Sequence, residues 1–469
     1  MTIEFSKPLV AHETPIPGVV LYDLPVHGDN RGWFKENWQR EKMVALGLPD
    51  FRPVQNNISF NEKAGTTRGI HAEPWDKFIS VATGRIFGAW VDLREGPSFG
   101  AVFTAELDPS QAIFIPRGVG NAFQTLEDNT AYTYLVNDHW SADAQSQYTF
   151  LNLADETAAI SWPVPLEQAE LSDKDKAHPR LADVTPMPSK KVLVVGANGQ
   201  LGKALRELYD GDTSVEFAAR DDFDLSKEES FTGRNWKNYS TIINAAAYTA
   251  VDTAETPEGR KAAWDANVAA VARLAKTAVE YDLTLVHVSS DYVFDGTAGT
   301  HGEDEAFTPL GVYGQTKAAG DAVVSVVPRH YIVRTSWVIG EGNNFVRTMA
   351  SLADRGIKPS VVNDQIGRLS FTEDIAAGIK HLLESGAAYG VYNLSNDGEA
   401  QSWADIAGDV YKLCGASRED VTGVSTEEYF AGKEAAPRPL NSFLDLGKIK
   451  GTGFTPASSS DRLAAYLRG

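Results

Sequence analysis

The chain has 469 residues, 43% hydrophobic and 23% charged, with a formal net charge of −20; that is too long for one ordinary core and fits two to three soluble domains. The acidic balance excludes a general nucleic-acid or anionic-membrane binder, although a few local Arg and Lys suffice to hold a nucleotide diphosphate. No run of about 18 apolar residues exists to span a membrane, the start Met1-Thr-Ile-Glu-Phe-Ser-Lys-Pro8 lacks the pattern of a secretion signal, and the single Cys414 excludes an intrachain disulfide framework; the expected location is the cytoplasm.

Residues 1–182 read as short strands. Apolar-alternating or aromatic runs such as Phe78–Ala82, Ile86–Leu93 and Ala131–Val136 are separated by Gly, Pro, Asn and Asp, and helical periodicity is nearly absent. Many close-spaced strands imply a sandwich, jelly roll or barrel. In Thr66-Thr-Arg-Gly-Ile-His71, Arg68 and His71 have opposite parity and would face opposite sides of a strict strand. A bulge near Gly69 would bring them together.

Residues 183–190, Asp183-Val-Thr-Pro-Met-Pro-Ser-Lys190, carry two prolines and no periodic pattern and read as a linker. From 191 to 469 the texture changes. Buried strands at Lys191–Val195, Ser214–Ala218, Thr241–Asn244, Leu283–Val288 and Tyr331–Arg334 alternate with helical runs such as Leu201–Tyr209 and Ala262–Tyr281. That alternation means a doubly wound, Rossmann-type α/β parallel sheet. Gly196-Ala-Asn-Gly-Gln-Leu-Gly202 joins the first strand to a helix, where glycines permit a tight turn and close approach of a pyrophosphate to the helix N-terminus. The competing reading is a tight turn and nothing more.

Further on, Tyr313 and Lys317 stand four apart and share a helical face. A phenol with a pKa of about 10 is a poor catalyst at neutral pH, and a nearby ammonium is expected to lower it. Ser290 puts a hydroxyl at the carboxyl end of a buried strand, where such sheets place their ligands. A Tyr-x-x-x-Lys by itself often arises as an exposed helical pair; the order glycine loop, strand-end Ser-Ser, Tyr-x-x-x-Lys is much harder to obtain by accident.

That order, with Asn244-Ala-Ala-Ala-Tyr-Thr-Ala-Val-Asp-Thr-Ala-Glu255, Ser289-Ser-Asp-Tyr-Val-Phe294, Val333-Arg-Thr-Ser-Trp-Val338, Asp364-Gln-Ile-Gly-Arg368 and Arg438-Pro-Leu-Asn-Ser442, resembles the extended short-chain dehydrogenase/reductases and, more narrowly, the dTDP-4-dehydrorhamnose reductases, which add a small substrate subdomain. The resemblance implies that Tyr313 gives a proton to the sugar C4 oxygen, Lys317 holds the nicotinamide ribose, Ser290 orients the carbonyl and Trp337 lines the sugar pocket. It further implies a cofactor site at Gly196, Asn198, Gly199, Gln200, Leu201, Gly202, Arg220, Asp224, Leu225, Ala245, Ala246 and Ala247, besides Tyr313 and Lys317. At the end of the second strand, Ala218-Ala-Arg220 offers a cation to a 2′-phosphate, so NADPH is expected, with NADH tolerated; otherwise Arg220 is a solvated strand-end charge.

In the first half, Arg31-Gly-Trp-Phe-Lys-Glu36, Gln55-Asn-Asn-Ile-Ser59, Gly65-Thr-Thr-Arg-Gly-Ile-His71, Val91-Asp-Leu-Arg94, Phe114-Ile-Pro-Arg-Gly118 and Leu171-Ser-Asp-Lys-Asp175 resemble the dTDP-4-dehydrorhamnose 3,5-epimerases, which have a cupin-like all-β jelly roll. By that resemblance His71 is the base, oriented by Asp175. Lys77 stabilises the enolate, and Tyr134 returns a proton from the opposite face. Arg31, Glu36, Gln55, Asn56, Asn57, Arg68, Asn121 and Lys174 hold the dTDP-sugar. Without the resemblance, Tyr134 reads as a core aromatic. Cupins often bind metal through His-x-His, which this chain lacks, so a metal-free site is expected. Three departures stand out: a short loop between His71 and Lys77, Asn121 where the family usually has histidine, and Gln145 for a usual glutamate. The expectation is a homo-oligomeric bifunctional enzyme. A reductase with a non-catalytic N-terminal binding or dimerisation module, and the same two steps on another 4-keto-6-deoxy sugar nucleotide, are the alternatives.

Overall fold

The alternating runs of the first half become antiparallel strands in the computed structural model, which describes Ile3 and residues 5–468. The chain divides into two units, residues 1–189 and 190–469. In the first, the strands are β1 Val10–Glu13, β2 Val20–Asp23, β3 Val26–Asp29, β4 Gly32–Lys35, β5 Gln55–Asn61, β6 Thr67–Ala72, β7 Lys77–Thr83, β8 Ile86–Asp92, β9 Val102–Leu107, β10 Gln111–Ile115, β11 Val119–Thr125, β12 Thr130–Val136 and β13 Thr149–Phe150. They form sheets of order β1-β2-β10-β7-β12-β5 and β13-β6-β11-β8-β9, with β3 and β4 as a separate hairpin. Ile79, Val81, Ile113 and Tyr132 of one sheet meet Ile86, Trp90, Leu107 and Phe123 of the other in a shared core, the packing of a two-sheet sandwich.

The second sheet is buried on its outer face too. Ile70, Ala72, Val91 and Leu93 pack beneath Leu151, Leu153, Leu181, Val184 and Met187. The segment expected to be a linker is therefore seated on this unit at least as far as Met187, whose amide donates to the Leu93 carbonyl while its own carbonyl accepts from Glu95. Burying Val184 and Met187 contributes on the order of 3–5 kcal/mol, enough to hold a proline-containing stretch in place.

The expected bulge is present. β6 pairs with β11 so that Arg68 faces Phe123 and His71 faces Asn121, leaving Gly69 and Ile70 opposite the single residue Ala122. Gly69 has φ +126, and a Cβ there would lie 2.5 Å from the Ala122 Cβ. The extra residue puts Arg68 and His71 on one side.

In the second unit β14 Lys191–Val195, β15 Val215–Ala218, β16 Tyr239–Asn244, β17 Thr284–Ser290, β18 His330–Thr335 and the strand Gly390–Asn393 form one parallel sheet in the order β15-β14-β16-β17-β18 and Gly390–Asn393. Its faces are covered by Val271, Leu274 and Ala278 on one side and by Leu201, Leu205, Ile375 and Ile379 on the other. The chain steps from β14 to β15 on one side and then to β16 on the other, so the ligand crevice of such a sheet opens beyond the ends of β14 and β16. Residues 339–467 include a separate cluster built around Phe371, Ile406, Val410 and Tyr411. Among the described residues no helix is long and apolar enough to cross a membrane.

Candidate active sites

A cavity of about 910 Å³ opens in the first unit, lined by Arg68, His71, Lys77, Asn121, Tyr134, Lys174 and Asp175. Sequence reasoning did not anticipate Glu73, Tyr132, Tyr148, Phe150 and His178 on the same walls. His71 Nε2 lies 2.9 Å from Asp175 Oδ1. Asp175 sits in the short helix Asp173–Lys176, whose start is capped by Ser172, and its other oxygen accepts from the Gly69 amide at 3.4 Å. Burial alone would raise the Asp175 carboxyl; the His71 hydrogen bond and charge, with the Gly69 amide, outweigh it and hold the carboxyl below its ordinary value. Asp175 is thus a charged partner that fixes the imidazole.

Lys77 Nζ pairs with Glu73 Oε1 at 2.7 Å, and the other Glu73 oxygen accepts from the Trp75 indole at 2.6 Å. The ammonium stands 5.0 Å over the Tyr134 ring. Burial pushes the Tyr134 hydroxyl up to about 12, the Glu73 charge adds to this and Arg68 opposes it. Tyr134 therefore keeps its proton and suits the role of acid. Asn121 accepts from the Trp90 indole at 3.0 Å and the Tyr132 hydroxyl at 3.1 Å, so its carbonyl is occupied by the wall around it.

Five expected sugar-nucleotide contacts are not brought to this cavity. Arg31 bonds Asp29 on the exposed β3–β4 hairpin, and Glu36 accepts from Lys42 at 2.5 Å. Asn56 lies on the other face of β5 from Ser59 and Asn61 and accepts from Thr133. Gln55 and Asn57 share the inward parity but bond each other at 2.8 Å and do not reach the lining. His71, Asp175 and His178 bring three ligand-type atoms within 4.8 Å of one another, a metal-compatible spacing; Asp175 also bonds His71 and the Gly69 amide, with the second imidazole beside that dyad.

In the second unit the crevice forms where the sheet order predicts. Gly196 has φ +80, and a Cβ there would lie 2.6 Å from the Ala246 amide nitrogen; a Cβ on Gly202 would lie 2.3 Å from the Gly196 carbonyl oxygen. The loops after β14 and β16 thus touch, and the helix Gln200–Leu208 begins at Gly199 with no side-chain cap. Its first amides are left for an anion. These glycines fit a dinucleotide pyrophosphate. Ala245 follows in the loop beyond β16, its amide bonded to the Val195 carbonyl. Arg220 is exposed two residues past β15, with Asp224 close enough to feel its charge. Asp224 itself accepts from the Ser226 amide and hydroxyl, and the Leu225 carbonyl accepts from Arg273.

Ser290 ends β17 and caps the next turn. Its hydroxyl donates to Asp291 at 2.9 Å and accepts from the Tyr292 amide at 3.2 Å, and it is near enough to the Tyr313 phenol to act on its pKa. Tyr313 and Lys317 lie on the helix Val312–Val324, and Lys317 Nζ donates to the Val288 carbonyl at 2.7 Å. The expected lowering of the Tyr313 pKa is not found: burial pushes it up to about 12, against the influence of the Ser290 hydroxyl. Burial also brings Lys317 down to about 8, with Asp321 opposing. The Trp337 ring stacks on Trp403 at 3.8 Å. A residue that sequence reading missed is Asn267, buried in a π-helical turn at Asp265–Ala269. Its amide ties the Tyr248 backbone in the loop after β16 to the Thr316 hydroxyl beside Lys317; π-turns mark such sites. A cavity of about 450 Å³ near Gln200 and Tyr466 contains none of Ser290, Tyr313 and Lys317.

Residues 190–468 match the family described as RmlD substrate binding domain, more than half of the chain, and residues 13–183 match the dTDP-4-dehydrorhamnose 3,5-epimerase family. A protein described as an RmlC homolog from Streptococcus pyogenes is 51% identical over 192 residues, 40% of this chain and 96% of that protein. A dTDP-4-dehydrorhamnose reductase from Aggregatibacter actinomycetemcomitans is 37% identical over 276 residues, 55% of this chain and 92% of that one. The crystal structure of a dTDP-4-dehydrorhamnose reductase from Bacillus anthracis in complex with NADP is 31% identical, with TM-score 0.55, covering 60% of this chain and 100% of its own. Folds and sites together define a two-enzyme fusion, an isomerase followed by a reductase. The chain belongs to the dTDP-4-dehydrorhamnose 3,5-epimerase family through its first unit and to the dTDP-4-dehydrorhamnose reductase family through its second.

Proposed function

We propose that the chain catalyses two consecutive steps on a dTDP-sugar: 3,5-epimerisation of dTDP-4-keto-6-deoxy-D-glucose, then reduction of the C4 ketone to dTDP-L-rhamnose. The C4 ketone acidifies the protons on C3 and C5, so inversion needs a base on one face, an acid on the other and a cation for the enolate oxygen. His71, held through Nε2 by Asp175, keeps Nδ1 for the proton. Lys77 faces the enolate, and Tyr134 returns the proton. Arg68 and Lys174 meet the diphosphate.

In the second unit the glycines at 196, 199 and 202 and the alanines at 245–247 hold the dinucleotide. When bound, NADPH supplies the hydride, and NADH is tolerated. Ser290 orients the ketone and Tyr313 protonates its oxygen. Lys317 holds the ribose and, once its ammonium turns from the Val288 carbonyl toward the phenol, draws the Tyr313 pKa down. The observation that carries this reading is that one chain assembles both sets, His71 with Asp175, Lys77 and Tyr134, and Tyr313 with Ser290 and Lys317.

The same proposal places the enzyme in the cytoplasm as a homo-oligomer, without metal in the epimerase site. Ile58 and Phe60 on the edge strand β5, 69% and 56% exposed, and Phe34 on the hairpin, 67% exposed, support self-association; sizing by light scattering checks it. Incubation with dTDP-4-keto-6-deoxy-glucose and NADPH tests both halves together. Nicotinamide absorbance falls and the rhamnose nucleotide forms, with or without EDTA. Tyr313→Phe stops the reduction by about 10²-fold or more and leaves solvent deuterium entering C3 and C5; His71→Ala stops both the exchange and the reduction that depends on it. Parent protein that reduces pre-epimerised ketosugar but exchanges no deuterium would mean a non-catalytic first unit, and faster turnover of a UDP-linked ketosugar would reassign the substrate.

A further inference from the structure

The epimerase cavity holds a second imidazole that the reaction above does not use. His178 follows the short helix that carries Asp175. Its ring centroid is 5.3 Å from that of His71, and it stacks on Phe150 at 4.7 Å and 29°. Its Nε2 lies 4.0 Å from Asp175 Oδ1, the same oxygen that His71 meets at 2.9 Å. That is too long for a hydrogen bond as it stands, and Nδ1 is buried with no partner in hydrogen-bonding geometry. The side chain is only 12% exposed. An apolar ring would stack on Phe150 equally well, whereas an imidazole whose buried Nδ1 has no partner in hydrogen-bonding geometry is a cost to the fold.

The electrostatics give the ring a definite state. Burial pushes the His178 imidazole below its ordinary pKa, and the charge of His71 pushes it further, against Asp175 and the carbonyls of Leu151 and Gly69. Two imidazolium rings this close cannot both be served by one carboxylate. His71 has the short bond, so His178 remains a neutral N–H donor.

Resting on the epimerase reading, we propose that His178 is a positioning residue for the base: with a sugar nucleotide in the cavity its Nε2–H closes onto Asp175. The carboxylate is then held between two rings, and His71 keeps both its orientation and its counter-charge while it takes the proton from C3 or C5. Hydrogen bonds that are long in a site without substrate commonly tighten in the complex. The second imidazole also bears on Asn121, which holds the place of a usual family histidine but spends its carbonyl on Trp90 and Tyr132; His178 supplies an imidazole from another element.

The test is solvent-deuterium incorporation at C3 and C5 of dTDP-4-keto-6-deoxy-glucose by the full chain, with reduction of pre-epimerised ketosugar by the same preparation as the check on folding. His178→Ala is expected to lower kcat for exchange about tenfold while KM stays within about twofold. His178→Gln, which keeps an N–H at the reach of Nε2, recovers most of the rate. His178→Phe, which keeps the stack on Phe150 without the donor, does not. A phenylalanine variant that exchanges like the parent, a glutamine variant no better than alanine, or a loss carried by KM would each overturn the proposal. Failure of the epimerase reading looks different: the parent shows no exchange, or His71→Ala exchanges as fast as the parent.

Discussion

Lys317 carries its ammonium inside the fold, on the Val288 carbonyl at 2.7 Å, while Asp321 one helical turn away is engaged with Arg334 at 3.0 Å. Burial brings its pKa down to about 8. Below that pH both folded and unfolded chains hold the proton, and the folded state bears the full cost of the buried charge. From about 8 to the unfolded value of about 10.4 the folded chain releases its proton first, so stability rises with pH across that window. Lys317→Met is expected to stabilise the second unit by up to about 3 kcal/mol at pH 7. Calorimetry should show that advantage shrinking as pH climbs past 8, while reduction falls by about 10²-fold or more. Arg220 gives a separate prediction. Arg220→Ala should raise the KM for NADPH about 10- to 100-fold and leave NADH nearly unchanged; an equal rise for both cofactors would remove its role in reading the 2′-phosphate. Spacing alone was enough to place Tyr313 and Lys317 on one helical face. The direction of the Tyr313 shift was not legible, because it depends on how much water burial removes, and neighbours in sequence do not report that.

At the scale of the element, β6 shows how one residue redirects a strand. Gly69 is the residue that permits it, with φ +126 and no room for a Cβ beside Ala122. Gly69→Ala is expected to destabilise the first unit by about 2–4 kcal/mol and to abolish deuterium exchange as Arg68 and His71 part, with reduction of pre-epimerised substrate intact; urea melts and the two assays check it. Parity arithmetic raised the bulge as a condition, and the pairing with β11 meets it. The π-turn around Asn267 had no such signal, since helical periodicity runs through it and only the cross-links to Tyr248 and Thr316 reveal its place. Arg31 and Glu36 illustrate the converse. They belong to a run that matches its family well, yet the β3–β4 hairpin and the segment after it keep both away from the cavity of their own chain.

At the scale of the whole molecule, two units with separate cores, 1–189 and 190–469, carry consecutive chemistry on one polypeptide. The epimerised ketone is the product of the first and the substrate of the second, so reduction draws the first step forward. Tethering raises the effective concentration of one site near the other. At nanomolar enzyme the fused chain should form the rhamnose nucleotide faster than an equimolar mixture of its separated halves; equal rates would leave shared stoichiometry as the whole consequence of fusion. The sequence by itself determined the two fold classes, the order of the domains, the glycine turn and the shared helical face of Tyr313 and Lys317, because periodicity and short motifs are local properties of a chain. Which residues converge was decided by tertiary structure alone. His178 and Glu73 joined the epimerase cavity, Gln55, Asn56 and Asn57 fell outside it, Trp337 paired with Trp403, and a proline-bearing stretch became part of a core. Convergence and burial arise from strand register, bulges and the covering of sheet faces, which bring together residues more than a hundred positions apart.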